Sequence, residues 1–503
     1  MVKKKGEFSD TLRVLKQSKA KIQSLSFVQW VGRFVHARPL WTAFLIGFAY
    51  FGYVISWMFA LRTAEIATGL ATKIVAITAA IIMVTTFALG YVFFVWLVRR
   101  LKLSVYDKTW WQIPFVWVIA ECFRAVLFSV IALGPGGRVG SFWTFGNAGY
   151  WLVYTPLVYI GRFGGLYLLS LLVAFLVVSC IRSLRSKNWR EPLSIASAAA
   201  ILAFLGWALY AQPQGEKRTI AAVQFANEFS PEAFSLTTAD LLGRLPEKSV
   251  DAIILPEYSH LWEGDSVRDT DAASRVLKNP DGVLIDSVQE RSTMLGHNLV
   301  TYHRPDGSVA FDQKKWFSVP GGEYVPYIYQ VVLAYAGQEQ LLLHFQDQKS
   351  VEHGDTPEMP YEFDGAKYGG LACSGAFVPE LYRGMTQRGA TILSNSASLD
   401  TMGISDLYHI EARQMARLHA VANARPFVQA ARGGYSYIID SNGTFVDGVQ
   451  QRGYALVHGA VTTNDTLTLY TLFGDWIVWG GIVIIGITGL TNRKKQPYTK
   501  PKH

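Results

Sequence analysis

The chain has 503 residues, half of them hydrophobic and 14% aromatic, with only 17% charged and a formal net charge of +9. These proportions exclude a disordered or collagenous chain and disfavour an ordinary soluble globule. The charge is unevenly placed: residues 213–470 hold 20 Lys and Arg against 31 Asp and Glu, and the remainder hold 27 against 7. A basic apolar part and an acidic polar part share one chain, so the modest overall basicity gives no sign of a nucleic-acid partner.

In chain order, Lys3-Lys4-Lys5 is followed by polar residues, without the apolar core of a cleavable signal peptide. Residues 24–40 mix aromatics with Arg33, His36 and Arg38 and read as an interfacial helix. Charge-free apolar runs at 41–61, 74–98 and 163–181 are each long enough to cross a hydrocarbon core of about 30 Å. Residues 109–133 read the same way except for Glu121 and Arg124, which sit three apart on one helix face and can pair or meet a lipid headgroup. A milder Ala/Leu-rich span follows at 192–211, and a last one at 476–490 stops at Asn492-Arg493-Lys494-Lys495. Five spans, a long insert and one further span are predicted.

Basic residues orient these spans. With the N-terminus in the cytoplasm, the inner segments hold 22 Lys and Arg, whereas the outer loops 62–73 and 134–162 hold 4. The predicted arrangement is a cytoplasmic and interfacial segment 1–40, a membrane domain 41–212, an extracytoplasmic domain 213–470, a final helix 471–491 and a basic cytoplasmic tail 492–503. The aromatic loop 134–162 then lies outside, as a membrane belt or as a lip beneath the outer domain.

Short β-rich runs alternating with helical patterns make the acidic part an α/β domain. Strands are expected at Thr219–Phe225, Ala252–Leu255, His297–Tyr302, Ser308–Phe311, Gly370–Cys373, Ala390–Leu393, Phe427–Ala430 and Tyr435–Ile439. The turn Pro305-Asp306-Gly307 implies a hairpin, and residues 405–422 an amphipathic helix. Of three cysteines, Cys122 and Cys180 fall inside spans, which leaves Cys373 with no disulfide partner in its own compartment.

Three places carry chemistry. Cys373 ends an apolar run and opens the small-residue turn Ser374-Gly375-Ala376, a position that presents a nucleophile at the carboxyl edge of a sheet. Glu257 repeats that geometry behind Pro256, as an acid fit to serve as a base. Lys315 leads into Val319-Pro320-Gly321-Gly322-Glu323-Tyr324-Val325-Pro326, which holds a second acid, Glu323, eight residues on. A free thiol is mostly protonated at neutral pH, so a nearby base and a positive charge would both promote attack. Taken singly, each residue also fits a surface cap, a solvated charge or a turn.

In this order Glu257, Lys315 and Cys373 resemble the Glu-Lys-Cys triad of the nitrilase superfamily, and the membrane context narrows the resemblance to its apolipoprotein N-acyltransferase branch. Pro379-Glu380-Leu381, Ser394-Asn395, Asn423-Ala424-Arg425-Pro426, Gly474-Asp475-Trp476 and the stretch Trp117 to Arg124 are similar to further landmarks of that branch. The chain departs from it with Ser374-Gly375 where the family has Tyr-Glu, with Ser396-Ala397-Ser398 after Asn395, and with six spans where eight are usual. The resemblance implies a multi-span α-helical membrane domain joined to an α-β-β-α nitrilase-like sandwich in a bacterial cytoplasmic membrane. It implies catalysis by Glu257, Lys315 and Cys373, with Glu323 holding the lysine or the acceptor amine. A membrane phospholipid would donate an acyl chain through a Cys373 thioester to the N-terminal diacylglyceryl-cysteine of an apolipoprotein. The alternative is a membrane-tethered amidase or acyl hydrolase with water or another amine as acceptor. Neither chemistry calls for a cofactor or a metal.

Overall fold

The computed structural model describes residues 37–61, 70–210, 212–226, 241, 250–259, 282–290, 296–343, 351–402, 405–449 and 451–494. Apolar composition sets the first part as helices: Pro39–Val54 (α1), Leu70–Arg100 (α2), Ile113–Ile131 (α3), Gly161–Ser186 (α4) and Arg190–Tyr210 (α5). Lys73–Arg100, Trp110–Ile131, Pro156–Ser186 and Arg190–Tyr210 are long and apolar enough to cross a membrane, whereas Pro39–Val54 and Trp476–Leu490 are shorter apolar helices. The first run is therefore not one straight span over 41–61. Its helix has 16 residues, about 24 Å by the α-helical rise, and then tightens into a 3₁₀ turn at Ser56–Ala60. Most of the expected interfacial helix at 24–40 lies outside the described residues.

Helix α5 leaves Leu193, Ile201, Phe204 and Leu209 exposed, an outward apolar face suited to lipid. Helix α4 bends at Gly164 and Gly165. Gly165 has φ +63, and a Cβ there would lie 2.4 Å from the ring of Tyr470, so glycine both permits the bend and admits that tyrosine.

Beyond the helices, the strands Lys217–Phe225 (β1), Ala252–Glu257 (β2), Val283–Glu290 (β3), Gly296–His303 (β4) and Val309–Lys314 (β5) come first. After helix Tyr327–Tyr335 (α6) come Val351–Glu352 (β6), Tyr361–Phe363 (β7), Ala366–Ala372 (β8), helix Pro379–Gln387 (α7) and Ile392–Ser398 (β9). Helix Asp406–Asn423 (α8) precedes Phe427–Arg432 (β10), Tyr437–Ile439 (β11), Phe445–Gly448 (β12) and Ala455–Thr462 (β13). Leu469–Phe473 (α9) and Trp476–Lys494 (α10) end the described chain.

The strands hydrogen-bond in the order β5-β4-β3-β2-β1-β10-β9-β8-β7. Folded at the β1–β10 junction, the two halves face each other. Ile220, Ile254, Val300 and Tyr302 of one half are buried with Tyr368, Ala372, Ile392 and Val428 of the other. Tyr302 stitches them, its hydroxyl accepting from Gly370 N at 2.9 Å and donating to Tyr368 O at 3.1 Å. On the outer face of the second half, α7 and α8 form a helical layer. The same core contains Val54, Phe128, Trp143, Phe145 and Leu169 from the membrane part, so this layer rests on the membrane helices. Arg162 of α4 is fully buried and donates to the carbonyls of Val421 (3.1 Å) and Ser441 (2.8 Å), which ties the two parts together.

The predicted strands fall on β1, β2, β4, β5, β8, β9, β10 and β11, and the predicted hairpin is the antiparallel pair β4–β5. The helix expected at 405–422 is α8. Strands β3, β6, β7, β12 and β13 were not expected. Strand β3 is buried yet carries Asp286 and Ser287, which break the apolar pattern that marks an inner strand.

Candidate active site

Glu257 is the last residue of β2 and Cys373 the first after β8, and each stands beside a left-handed backbone turn. Tyr258, just after the glutamate, has φ +58, and Cys373 itself has φ +42. A residue with a Cβ adopts that region at a cost, so the surrounding fold holds the thiol there against local preference. The strand runs into a 3₁₀ turn at Cys373–Phe377. Ser374 Oγ donates to Phe317 O at 2.6 Å, and Cys373 Sγ lies 3.4 Å from Ser398 O.

Lys315 follows β5, and its loop is pinned at several points. Its N–H donates to Asn298 O at 2.8 Å and its carbonyl accepts from Gly354 N at 2.9 Å. Its ammonium is buried and donates to Glu257 Oε1 at 3.1 Å and to Glu323 Oε1 at 2.8 Å. Glu323 is held in turn by the Val319 N–H at 2.7 Å and by the Asn298 amide, which also donates to the Tyr258 hydroxyl at 2.9 Å. The structure thus gathers Glu257, Lys315 and Glu323 into one hydrogen-bonded cluster, with Cys373 near enough for the charges of Glu257 and Lys315 to act on its thiol.

Electrostatics assigns protons within the cluster. Burial raises the Glu257 carboxyl above its ordinary range against the pull of Lys315. Burial works against the Lys315 ammonium, but the carboxylates of Glu257 and Glu323 outweigh it and hold the lysine well above its ordinary value. Burial, reinforced by the charge of Glu257, pushes the Cys373 thiol well up. The directions of these shifts favour a neutral thiol beside a carboxyl made more basic than usual, with the Lys315 ammonium held on that carboxyl. That arrangement can transfer a proton from sulfur to Glu257 as the sulfur attacks, and Lys315 can stabilise the negative charge that develops.

Further residues support this cluster without having been expected. Asn298 bridges Glu323 and Tyr258, and an amide buried within β4 is the signal that could have found it. Glu358 is buried, accepts from Trp316 N at 2.9 Å directly after the lysine, and is raised to about 7 by burial. His419 of α8 is buried, with Nε2 2.8 Å from Ala376 O in the cysteine turn, and burial lowers it to about 4, which keeps the ring neutral. Neither could be placed without the fold, because each reaches its partner from a distant stretch of chain.

Glu121 and Arg124 of α3 lie away from this cluster and do not close on each other. Glu121 Oε1 accepts from Ala148 N at 2.7 Å and from Trp117 Nε1 at 3.1 Å, and Arg124 donates to Phe145 O at 2.7 Å and to the Asn147 side chain. The sequence placed the acid and the base on one face but could not reveal the loop that takes their hydrogen bonds. Among the described residues, no group of three or more His, Cys, Asp and Glu is arranged to hold a metal ion.

Comparison with known proteins divides the chain as its charge does. Residues 219–466 match the carbon-nitrogen hydrolase family, and residues 17–179 match the apolipoprotein N-acyltransferase N-terminal domain. An apolipoprotein N-acyltransferase of Pasteurella multocida is 21% identical over 88% of this chain and 84% of its own. One of Azotobacter vinelandii is 27% identical over 75% of each. Among solved structures, a carbon-nitrogen hydrolase from Helicobacter pylori G27 aligns with 56% of this chain and 99% of its own at 19% identity and a TM-score of 0.38.

Proposed function

This chain belongs to the apolipoprotein N-acyltransferase family of the carbon-nitrogen hydrolase superfamily, and from that premise we propose that it transfers an acyl chain from a membrane phospholipid to the N-terminal amine of a diacylglyceryl apolipoprotein. Cys373 Sγ attacks the ester carbonyl of the donor while its proton passes to Glu257. The tetrahedral intermediate collapses, the C–O bond breaks, and Glu257 returns the proton to the departing lysophospholipid alkoxide. The acceptor amine then attacks the thioester, Glu257 takes a proton from its nitrogen, the amide forms, and the C–S bond breaks to restore the thiol. Lys315 stabilises the oxyanion in both halves, and Glu323 holds Lys315 in place.

The observation that carries this reading is the cluster itself, with Lys315 Nζ 3.1 Å from Glu257, 2.8 Å from Glu323, and Cys373 at a left-handed turn beside it. The catalytic domain, residues 213–470 by its charge, lies outside the cytoplasm and both termini lie inside, which the distribution of basic residues supports. The test supplies the purified chain in vesicles with phosphatidylethanolamine, with and without a diacylglyceryl-cysteine peptide. Peptide-dependent lysophospholipid release, absent in Cys373→Ser, is the expected result. Sustained release without peptide would assign water as the acceptor, a reading to which Ser374 and Gly375 beside the nucleophile lend some support. No thioester on Cys373 under either condition would overturn both readings.

A further inference from the structure

Within the membrane part, Arg124 is 2% exposed and Glu121 4% exposed, and both direct their hydrogen bonds at one short stretch of outer loop, residues 145–148. The Arg124 guanidinium lies over the rings of Phe51 and Phe87, 4.6 Å from each centroid. Its stem passes so close to Gly90 of α2 that a Cβ there would stand 2.9 Å from Arg124 Cβ. Three helices thus fix one guanidinium, and that guanidinium fixes a loop. A buried charge on a membrane helix is costly, and one whose hydrogen bonds go to a backbone carbonyl and a side-chain amide of one loop rather than to a counter-charge is placed to shape that loop.

The loop reaches the reaction centre through aromatic contacts. Phe145 packs on Phe377 at 5.1 Å between centroids, and Phe377 closes the cysteine turn. Trp143 and Phe142 pack on Phe317 at 5.7 and 5.1 Å, two residues beyond Lys315. One loop therefore touches both the segment that carries the lysine and the segment that carries the thiol. Phe317 and Ser374 are also joined directly, by the hydrogen bond from the serine hydroxyl to the Phe317 carbonyl.

We propose that Glu121 and Arg124 are positioning residues, which lock the 145–148 loop from inside the membrane and thereby set the relative placement of the Lys315 loop and the Cys373 turn. The inference rests on the acyl-transfer reading above. A shift of about 1 Å between reacting groups can cost on the order of a hundredfold in rate, so an anchor of this kind acts on catalysis without touching substrate.

The experiment measures single-turnover formation of the Cys373 thioester from phosphatidylethanolamine by the full chain in vesicles, normalised to Cys373 that a maleimide can label. Arg124→Lys keeps the charge but loses the fork, and it is expected to slow the rate per labelled site at least tenfold. Phe145→Leu should do likewise, and the double variant should be no slower than the slower single. Glu121→Gln keeps an acceptor for Ala148 N and should retain the wild-type rate, whereas Glu121→Leu should not. Wild-type rates per site in Arg124→Lys or in Phe145→Leu would overturn the proposal, as would multiplicative effects in the double variant or a Glu121→Gln as slow as Glu121→Leu. If Arg124→Lys does not fold, Phe145→Leu and the Glu121 pair decide the matter. Absence of a thioester in the wild type would count against the acyl-transfer reading instead.

Discussion

In the membrane helix α3, Glu121 and Arg124 reach out to a neighbouring loop, to the Ala148 N–H, the Phe145 carbonyl and the Asn147 side chain, whereas in the α/β domain Lys315 bridges Glu257 and Glu323 in a cluster closed on itself. Both clusters are buried, and the difference follows from the cations. Guanidinium is a planar fork that suits fixed acceptors, and ammonium is a compact point charge that two carboxylates can share. A cluster closed on itself holds Glu257 and Lys315 at shifted proton affinities, suited to exchanging a proton. A cluster that grips a loop holds geometry. The two regions thus use the same expensive ingredient, buried charge, for reactivity in one and for architecture in the other.

The sharpest way to break this comparison is Lys315→Met. It leaves two buried carboxylates with no counter-charge, which should abolish thioester formation and destabilise the folded chain by about 3–5 kcal/mol at neutral pH. Its pH dependence has a definite sign: the Glu257 carboxyl, favoured in its protonated form when folded, stabilises below its ordinary value of 4.5 and ceases to do so as pH rises. Thermal unfolding of the variant should therefore occur at lower temperature as pH is raised from 4 to 8. Glu257→Gln is next. It preserves shape and removes the proposed base, so the acylation rate should fall by about 10²–10⁴ while the unfolding temperature does not drop.

Smaller effects come from one support of the lysine loop and one of the cysteine turn. Glu358 is raised to about 7, so its protonated form favours the fold below its ordinary 4.5 and that contribution is lost as pH rises through 7. Glu358→Gln retains an acceptor for Trp316 N and should be more stable than the wild type at pH 8.5, by roughly 3 kcal/mol at most, and equal to it near pH 4, as read by thermal unfolding. Smallest is His419→Leu, which removes one hydrogen bond to the cysteine turn. The expected loss is about 1 kcal/mol, or about fivefold in acylation rate, with His419→Gln intermediate because it keeps a donor.

Much of this was legible in the sequence because the relevant signals are local. Charge-free runs mark helices, a short apolar run ending at Cys373 or Glu257 marks a strand end, and Lys315 and Glu323 share one stiff loop. That Glu257, 58 residues before Lys315, meets it at 3.1 Å depends on the sheet order and could only be expected through resemblance. The β3 strand was hidden by its own polar residues, and His419 and Glu358 by distance along the chain. The partners of Arg124 were hidden for a different reason. One is a backbone carbonyl, which carries no sequence signature, and the other the Asn147 side chain, 23 residues on in a loop, so hydrophobic pattern shows that a buried arginine needs acceptors but not which ones it finds.

The left-handed backbone at Cys373, φ +42, makes the wild-type residue the wrong one for stability and sets an unusual order among inactive variants. Alanine and glycine both remove the sulfur, but only glycine is at ease in that conformation, so Cys373→Gly should outlast Cys373→Ala in thermal unfolding by about 1 kcal/mol. In a helix or strand the order would be the reverse. For trapping a donor lipid or an acceptor peptide without turnover, the customary alanine is therefore the poorer choice, and glycine is the replacement that leaves the turn in its native shape.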